Sequence, residues 1–229
     1  MSNPTRLRRL ILSIFVISAL VASGCKSMYY GAMEAVGVHK REILVDRVEE
    51  ARDEQEEAKD QFRTALVAFT EVTEFEGGEL EAAYKRLNAE YERAESEAED
   101  VRDRIDSIES VAEALFDEWE RELDEYESDK LRRSSERSLE ATRDRYESLI
   151  RAMRRAEEKM DPVLAAFRDQ TLFLKHNLNA RAIASLEGDL DELEDDIDAL
   201  IREMEASIAE ANEFIDAMGV APVDDEDES

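Results

Sequence analysis

Residues 174–186 read "LKHNLNARAIASL", and the way the chain passes through them decides the fold. Upstream, apolar residues recur at alternating steps of three and four as far as Leu174 and Leu178. Downstream the series resumes out of phase at Ile183 and Leu186. Such a slip has two readings. Either one very long helix runs through with a stutter, or the chain turns at Asn177 and Asn179, residues suited to ending and starting helices.

Length favours the turn. Working back, the third series runs Leu131, Leu139, Thr142, Tyr146, Leu149, Met153, Ala156, Met160, Val163, Phe167 and Leu174, keeping phase across Pro162, where a kink is expected. The second runs from Leu80 through Leu87, Ala94, Val101, Ile105, Ile108, Ala112 and Leu115 to Trp119, and fades at "EYESDK". The first runs Leu44, Val48, Ala51, Gln55, Ala58, Phe62, Ala65, Phe69, Val72, and "EGG" at 76–78 breaks it. The fourth runs Ile183, Leu186, Leu190, Leu193, Ile197, Leu200, Met204, Ile208, Ala211, Ile215, Met218. Helices two and three come to about 50 residues each, and helices one and four to about 40, at 1.5 Å per residue. A continuous last helix would leave an apolar seam of helical length with no partner. The expectation is therefore all-α: an elongated antiparallel four-helix coiled-coil bundle over residues 39–218, the alternative being three helices with one very long last helix. The second-to-third hairpin should project beyond the start of the first helix.

Charge supports that hairpin. Glu113, Asp117, Glu118, Glu120, Glu122, Asp124, Glu125 and Glu127 run into its tip, while Arg132, Arg133, Arg137, Arg143, Arg145, Arg151, Arg154 and Arg155 run away from it. Opposite signs across an antiparallel pair favour one register, at about 0–1 kcal/mol per exposed pair. The whole chain carries a net charge of −29, which excludes nucleic acid as a partner, since phosphate binding rests on Lys and Arg.

Before the bundle, Arg6, Arg8 and Arg9 precede the apolar run "LILSIFVISALVA", which is too short to span a membrane, and "ASG" precedes Cys25. Small residues before a lone cysteine resemble the lipobox of bacterial lipoproteins, with Ala22 standing where Leu is most usual. The expectation is a signal peptide over 1–24, then a cysteine carrying diacylglycerol and an N-acyl chain. The plain alternative is ordinary cleavage that leaves a free thiol. A tether follows over 25–38, where Tyr29 and Tyr30 suit the lipid headgroup layer. Two or more acyl chains hold a protein on a membrane durably. Lys26 after the cysteine, in place of Asp, favours the outer membrane facing the periplasm over the inner membrane. With one cysteine no internal disulfide can form. After Gly219, "VAPVDDEDES" reads as a disordered acidic tail.

Signs of catalysis are thin. The histidines are His39 and His176, expected at opposite ends of the bundle and so unable to share a metal. No His-Glu-x-x-His spacing and no phosphate loop occurs. The acidic run "DLDELEDDID" at 189–198 lacks the glycine and ligand spacing of a calcium loop and reads as a solvated helix face. Polar seam residues such as Gln55 and Thr142 read as register setters. The hairpin tip holds the better candidates for contact with a membrane or a partner: Phe116, Trp119 and Tyr126, with Arg132, Arg133 and Arg137. Core packing is the simpler reading of Trp119.

The stretches "MYYGAMEAVGVHKREILVDRVEEARDEQEEAKDQF", "ALFDEWERELDEY" and "PVLAAFRDQTLFLKHNLNARAIASL" resemble an uncharacterised family of Gram-negative lipoprotein-like helical proteins. The resemblance implies an envelope location and a coiled-coil build, and supplies no catalytic residue. The expected function is that of a lipid-anchored envelope scaffold or adaptor, not an enzyme, with no cofactor or metal. It would bind another protein or itself through helix faces; a membrane-proximal lipid binder is the alternative.

Overall fold

The computed structural model describes residues 40–73, 80–177 and 179–219. Four α-helices make up its regular structure: α1 (Lys40–Thr73), α2 (Leu80–Leu123), α3 (Asp129–His176) and α4 (Ala180–Gly219). The chain divides into two compact units, Met1–Ile43 and Leu44–Ser229. Of the first, only the opening residues of α1 are described, and the bundle is that of the second. The leader and tether, His39, the "EGG" at 76–78 and the acidic tail lie outside the described residues.

The turn between α3 and α4 is real, and the one-long-helix alternative is set aside. Asn177 leaves the helical region at φ −132°, ψ 49°, while its backbone N–H donates to the Leu174 carbonyl. Its side-chain amide donates to the Phe173 carbonyl at 2.9 Å, satisfying one of the acceptors that a helix end strands. The Asn179 N–H then donates to the Asn177 carbonyl at 2.8 Å, and the Asn179 carbonyl accepts the first bond of α4, from Ile183, at 3.2 Å.

Contacts between helices fix an up-down-up-down ring. Gln61 of α1 donates to the Glu90 carbonyl of α2 at 3.0 Å, and Arg104 of α2 reaches back to Glu50 at 2.9 Å, so the two run antiparallel. Arg154 of α3 meets Asp106 of α2, and Arg143 meets Glu120, again antiparallel. Ser207 of α4 donates to Gln55 of α1 at 2.8 Å and closes the ring. Across the core, the Phe69 and Phe167 rings of α1 and α3 meet edge to face at 6.4 Å. The closest backbone approaches are α3 to α4 and α2 to α3.

Every seam position of α1 from Leu44 to Val72 is buried, Gln55 included. In α2 the seam is buried from Leu87 to Leu115, apart from the half-buried Tyr91. In α4 the structure corrects the reading: Phe214 is buried, Ile215 only half so, and Ser207 is fully buried beside Ile208. The regular three-four step from Met204 in fact leads to Ser207, Ala211, Phe214 and Met218. α3 runs unbroken through Pro162, which stands on the exposed face, where water can bond the carbonyl a turn earlier that proline leaves without a donor. Among the described residues, no helix is long and apolar enough to cross a membrane.

Candidate functional site

At the end of the α2–α3 hairpin the ring thins, among the described residues, to two helices. Glu210, Glu213 and Phe214 of α4 lie with Asp144, Arg145 and Ser148 of α3 around one open groove. Since α4 ends at Gly219, α3 continues towards the hairpin turn without it. The turn itself is tight. Asp124 and Glu125 donate back to the carbonyls of Arg121 and Glu122. Ser128 then caps α3 in an extended conformation, its hydroxyl accepting from the Leu131 N–H.

The structure sorts the sequence-predicted tip residues into two groups. Phe116 is buried, edge-on to Tyr146 at 5.4 Å, with the Arg143 guanidinium 5.0 Å over its ring. Trp119 is half-buried, and its indole N–H donates to the Ser135 hydroxyl at 2.7 Å. Burial, followed by the nearby Glu109 charge, pushes the Tyr146 phenol up to about 12. These aromatics hold the two limbs together. The second group faces water: Tyr126 is 41% exposed and Leu131 56%. Arg133 and Arg137 are exposed and Arg132 half-buried, and none of their side chains bonds or ion-pairs with another described residue.

Deeper in the bundle, arginines are used differently. Arg154 binds Asp106 at 2.6 Å, and Glu109 and Glu157 each at 2.7 Å. Hydrogen bonding to Glu109 leads in holding that guanidinium charged, above its already high range, against the opposing cost of burial. Sequence reading placed Tyr146 on the seam but missed Ser135 as a working part of the hairpin. Ser135 sits seven residues before Thr142, so its heptad position was readable, but a serine there looks like a gap.

Glu54, Glu57 and Glu97 bring carboxylate oxygens within 4.8 Å of one another at the α1–α2 face. Burial, then repulsion from Glu54 and Glu57, raises the Glu97 carboxyl above the usual range. Arg104 stands 3.5 Å from Glu54 and already supplies a positive charge, so the trio is a repulsive contact partly relieved by a guanidinium. The groove beside Phe214 has about 370 Å³, yet its polar wall is three carboxylates, one guanidinium and the Ser148 hydroxyl on open helix faces, not a dry pocket. His176 is exposed in the last turn of α3, a place that suits a positive charge at a helix C-terminus. In the acidic run, Leu193 and Ile197 turn inward while Asp191, Glu192, Glu194, Asp195, Asp196 and Asp198 face solvent. Cys25, Tyr29 and Tyr30 lie outside the described residues.

A family model described as protein of unknown function (DUF2959) matches residues 29–218. The chain belongs to the DUF2959 family. The DUF2959 match takes in the hairpin and all four helices to Met218, and begins after Cys25. No curated protein and no solved structure matches the chain.

Proposed function

We propose that this DUF2959 chain is a lipid-anchored scaffold or adaptor of the Gram-negative cell envelope, working through helix–helix contacts and not through catalysis. Acylated at Cys25 after removal of residues 1–24, it would stand on the outer membrane facing the periplasm. The observation that carries the reading is the two-helix end of the bundle, where Tyr126, Leu131, Arg133 and Arg137 are exposed and make no side-chain bond to another described residue. Such an end is a surface offered to another helix. Native mass spectrometry of the protein, gently extracted from its own membranes, tests the reading. The expected result is a diacylglycerol and N-acyl mass at Cys25 with a polypeptide retained in stoichiometric amount. A bare thiol with nothing retained overturns it.

The three unpartnered arginines also favour a second reading, a lipid-binding tip. Against it stand the carboxylates of Glu122, Asp124, Glu125 and Glu127 beside them, all exposed or nearly so, which repel an anionic bilayer. Binding to phosphatidylglycerol vesicles at low salt without the acyl chains, lost on reversing Arg132, Arg133 and Arg137, would promote this reading. No binding removes it.

A further inference from the structure

We propose that the hairpin tip is a self-association surface, on which two copies of this chain overlap their α2–α3 ends to complete a four-helix section. The inference rests on the adaptor reading and names its partner: a second copy.

Three observations lead there. First, the hairpin continues past the end of α4, and the bonds that Phe116, Trp119 and Glu120 make with other helices all go to α3. Elsewhere in the bundle, a pair of antiparallel helices is covered by a second pair. Here, among the described residues, one pair has no second pair against it, and Leu131, which the apolar periodicity places on the seam, is instead 56% exposed. Second, the open stretch of α3 carries Ser134 and Ser138 near Leu131, small side chains that let another helix approach closely.

Third, the unpaired charges are self-complementary. The α2 limb and turn present Glu122, Asp124, Glu125 and Glu127, and the α3 limb presents Arg133 and Arg137, all exposed and none bonded through its side chain to a described residue. The α3 limb also carries the exposed Asp129 and Glu136, so its character is mixed, while the α2 limb and turn are predominantly acidic. A two-fold axis sets the same patch on both partners, so the unpaired arginines of each copy can face the acidic limb and turn of the other. If two tips point at each other and overlap by about a dozen residues, or about 18 Å at helical rise, Arg133 lies near the level of the partner's acidic limb. Arg137 then lies near the partner's turn. A single-sign partner would satisfy only one limb, which is why a second copy is favoured over an anionic surface.

Sedimentation velocity of the full chain in a density-matched non-ionic detergent tests this, from about 1 to about 100 μM, concentrations at which standard-sized interfaces of modest quality are populated. The wild type should shift from monomer to dimer across that range. Arg133→Glu with Arg137→Glu should weaken association at least tenfold, as should Glu125→Lys with Glu127→Lys, with far-UV circular dichroism unchanged. An equimolar mixture of the two variants should dimerise again. Arg168→Glu with Arg202→Glu, the same charge change away from the tip, controls for net charge and should have little effect. A wild type that stays monomeric overturns the proposal, as does a dimer equally insensitive to both tip variants. In either case a different polypeptide retained in the native mass spectrum would leave the adaptor reading standing, so the two ideas fail separately.

Discussion

At the scale of single residues, Gln55 and Ser207 show how a bundle seam tolerates a polar pair. Both are fully buried, and the Ser207 hydroxyl donates to the Gln55 carbonyl oxygen, leaving the Gln55 Nε2 without a partner. A buried polar atom stranded in this way costs about 1–3 kcal/mol, whereas replacing both members by apolar groups can cost nothing. Ser207→Ala should therefore lower stability by about 1–2 kcal/mol, and Gln55→Leu with Ser207→Ala should restore it or exceed the wild type. Urea unfolding of the three proteins measures the difference. If the double variant is less stable than the single, the pair stabilises the bundle on balance. Glu97 offers a test through pH. Its folded pKa is raised by burial and by neighbouring carboxylates, so its contribution is full below the usual carboxylate range and lost as pH rises through the folded value. Glu97→Gln should raise the melting temperature at about pH 7 and make little difference near about pH 3, where wild-type Glu97 is protonated in both states. An equal effect at both pH values would show that Glu97 is not strained by its charge.

Elements were legible to different depths. The alternating three-four steps placed the seam of α1 completely, because every residue from Leu44 to Val72 on that face has neighbours to bury it. Asn177 and Asn179 were readable as a turn because few other residues can leave one helix and open another so quickly. Leu131 was misread, since periodicity reports which face is apolar and cannot report whether a third helix reaches that far. Phe214 was passed over for Ile215, and Ser207 for Ile208, because a search for aliphatic residues slides off the true seam wherever it turns polar or aromatic. At the tip, the tryptophan and arginines were visible, but not their sorting: the Trp119–Ser135 bond depends on a serine that composition would assign to solvent. The hairpin then makes its own prediction. Ser135→Ala should destabilise it by about 0.5–1.5 kcal/mol and shift the emission of Trp119, the single tryptophan, to longer wavelength, with helix content retained. Unchanged emission would mean that the indole keeps its environment without the hydroxyl.

For the molecule as a whole, charge outweighs any single contact. The chain holds 59 acidic side chains against 30 basic ones, so even full ion pairing leaves a large surplus of carboxylates. That surplus works against the compact state, and salt relieves it by cutting the screening length from about 30 Å at 0.01 M to about 3 Å at 1 M. The same salt weakens exposed ion pairs, at about 0–1 kcal/mol each. With carboxylates in such excess over bases, relief should win, and the melting temperature should rise between about 0.01 and about 0.5 M NaCl. A fall would show that the arginine–carboxylate network dominates.

The ring closure between α1 and α4 also sets an order of assembly. The α2–α3 hairpin joins residues close in sequence and can form as soon as its own limbs exist, while the Gln55–Ser207 contact spans 152 residues. As the chain is synthesised, α1 emerges first and has its full set of neighbours last. Until α4 arrives, the inward face of α1, with Phe62 and Phe69, lacks one of the neighbours that bury it. A chain halted before α4 would thus be a sticky three-helix fragment, and the last helix made is the one that renders the first safe.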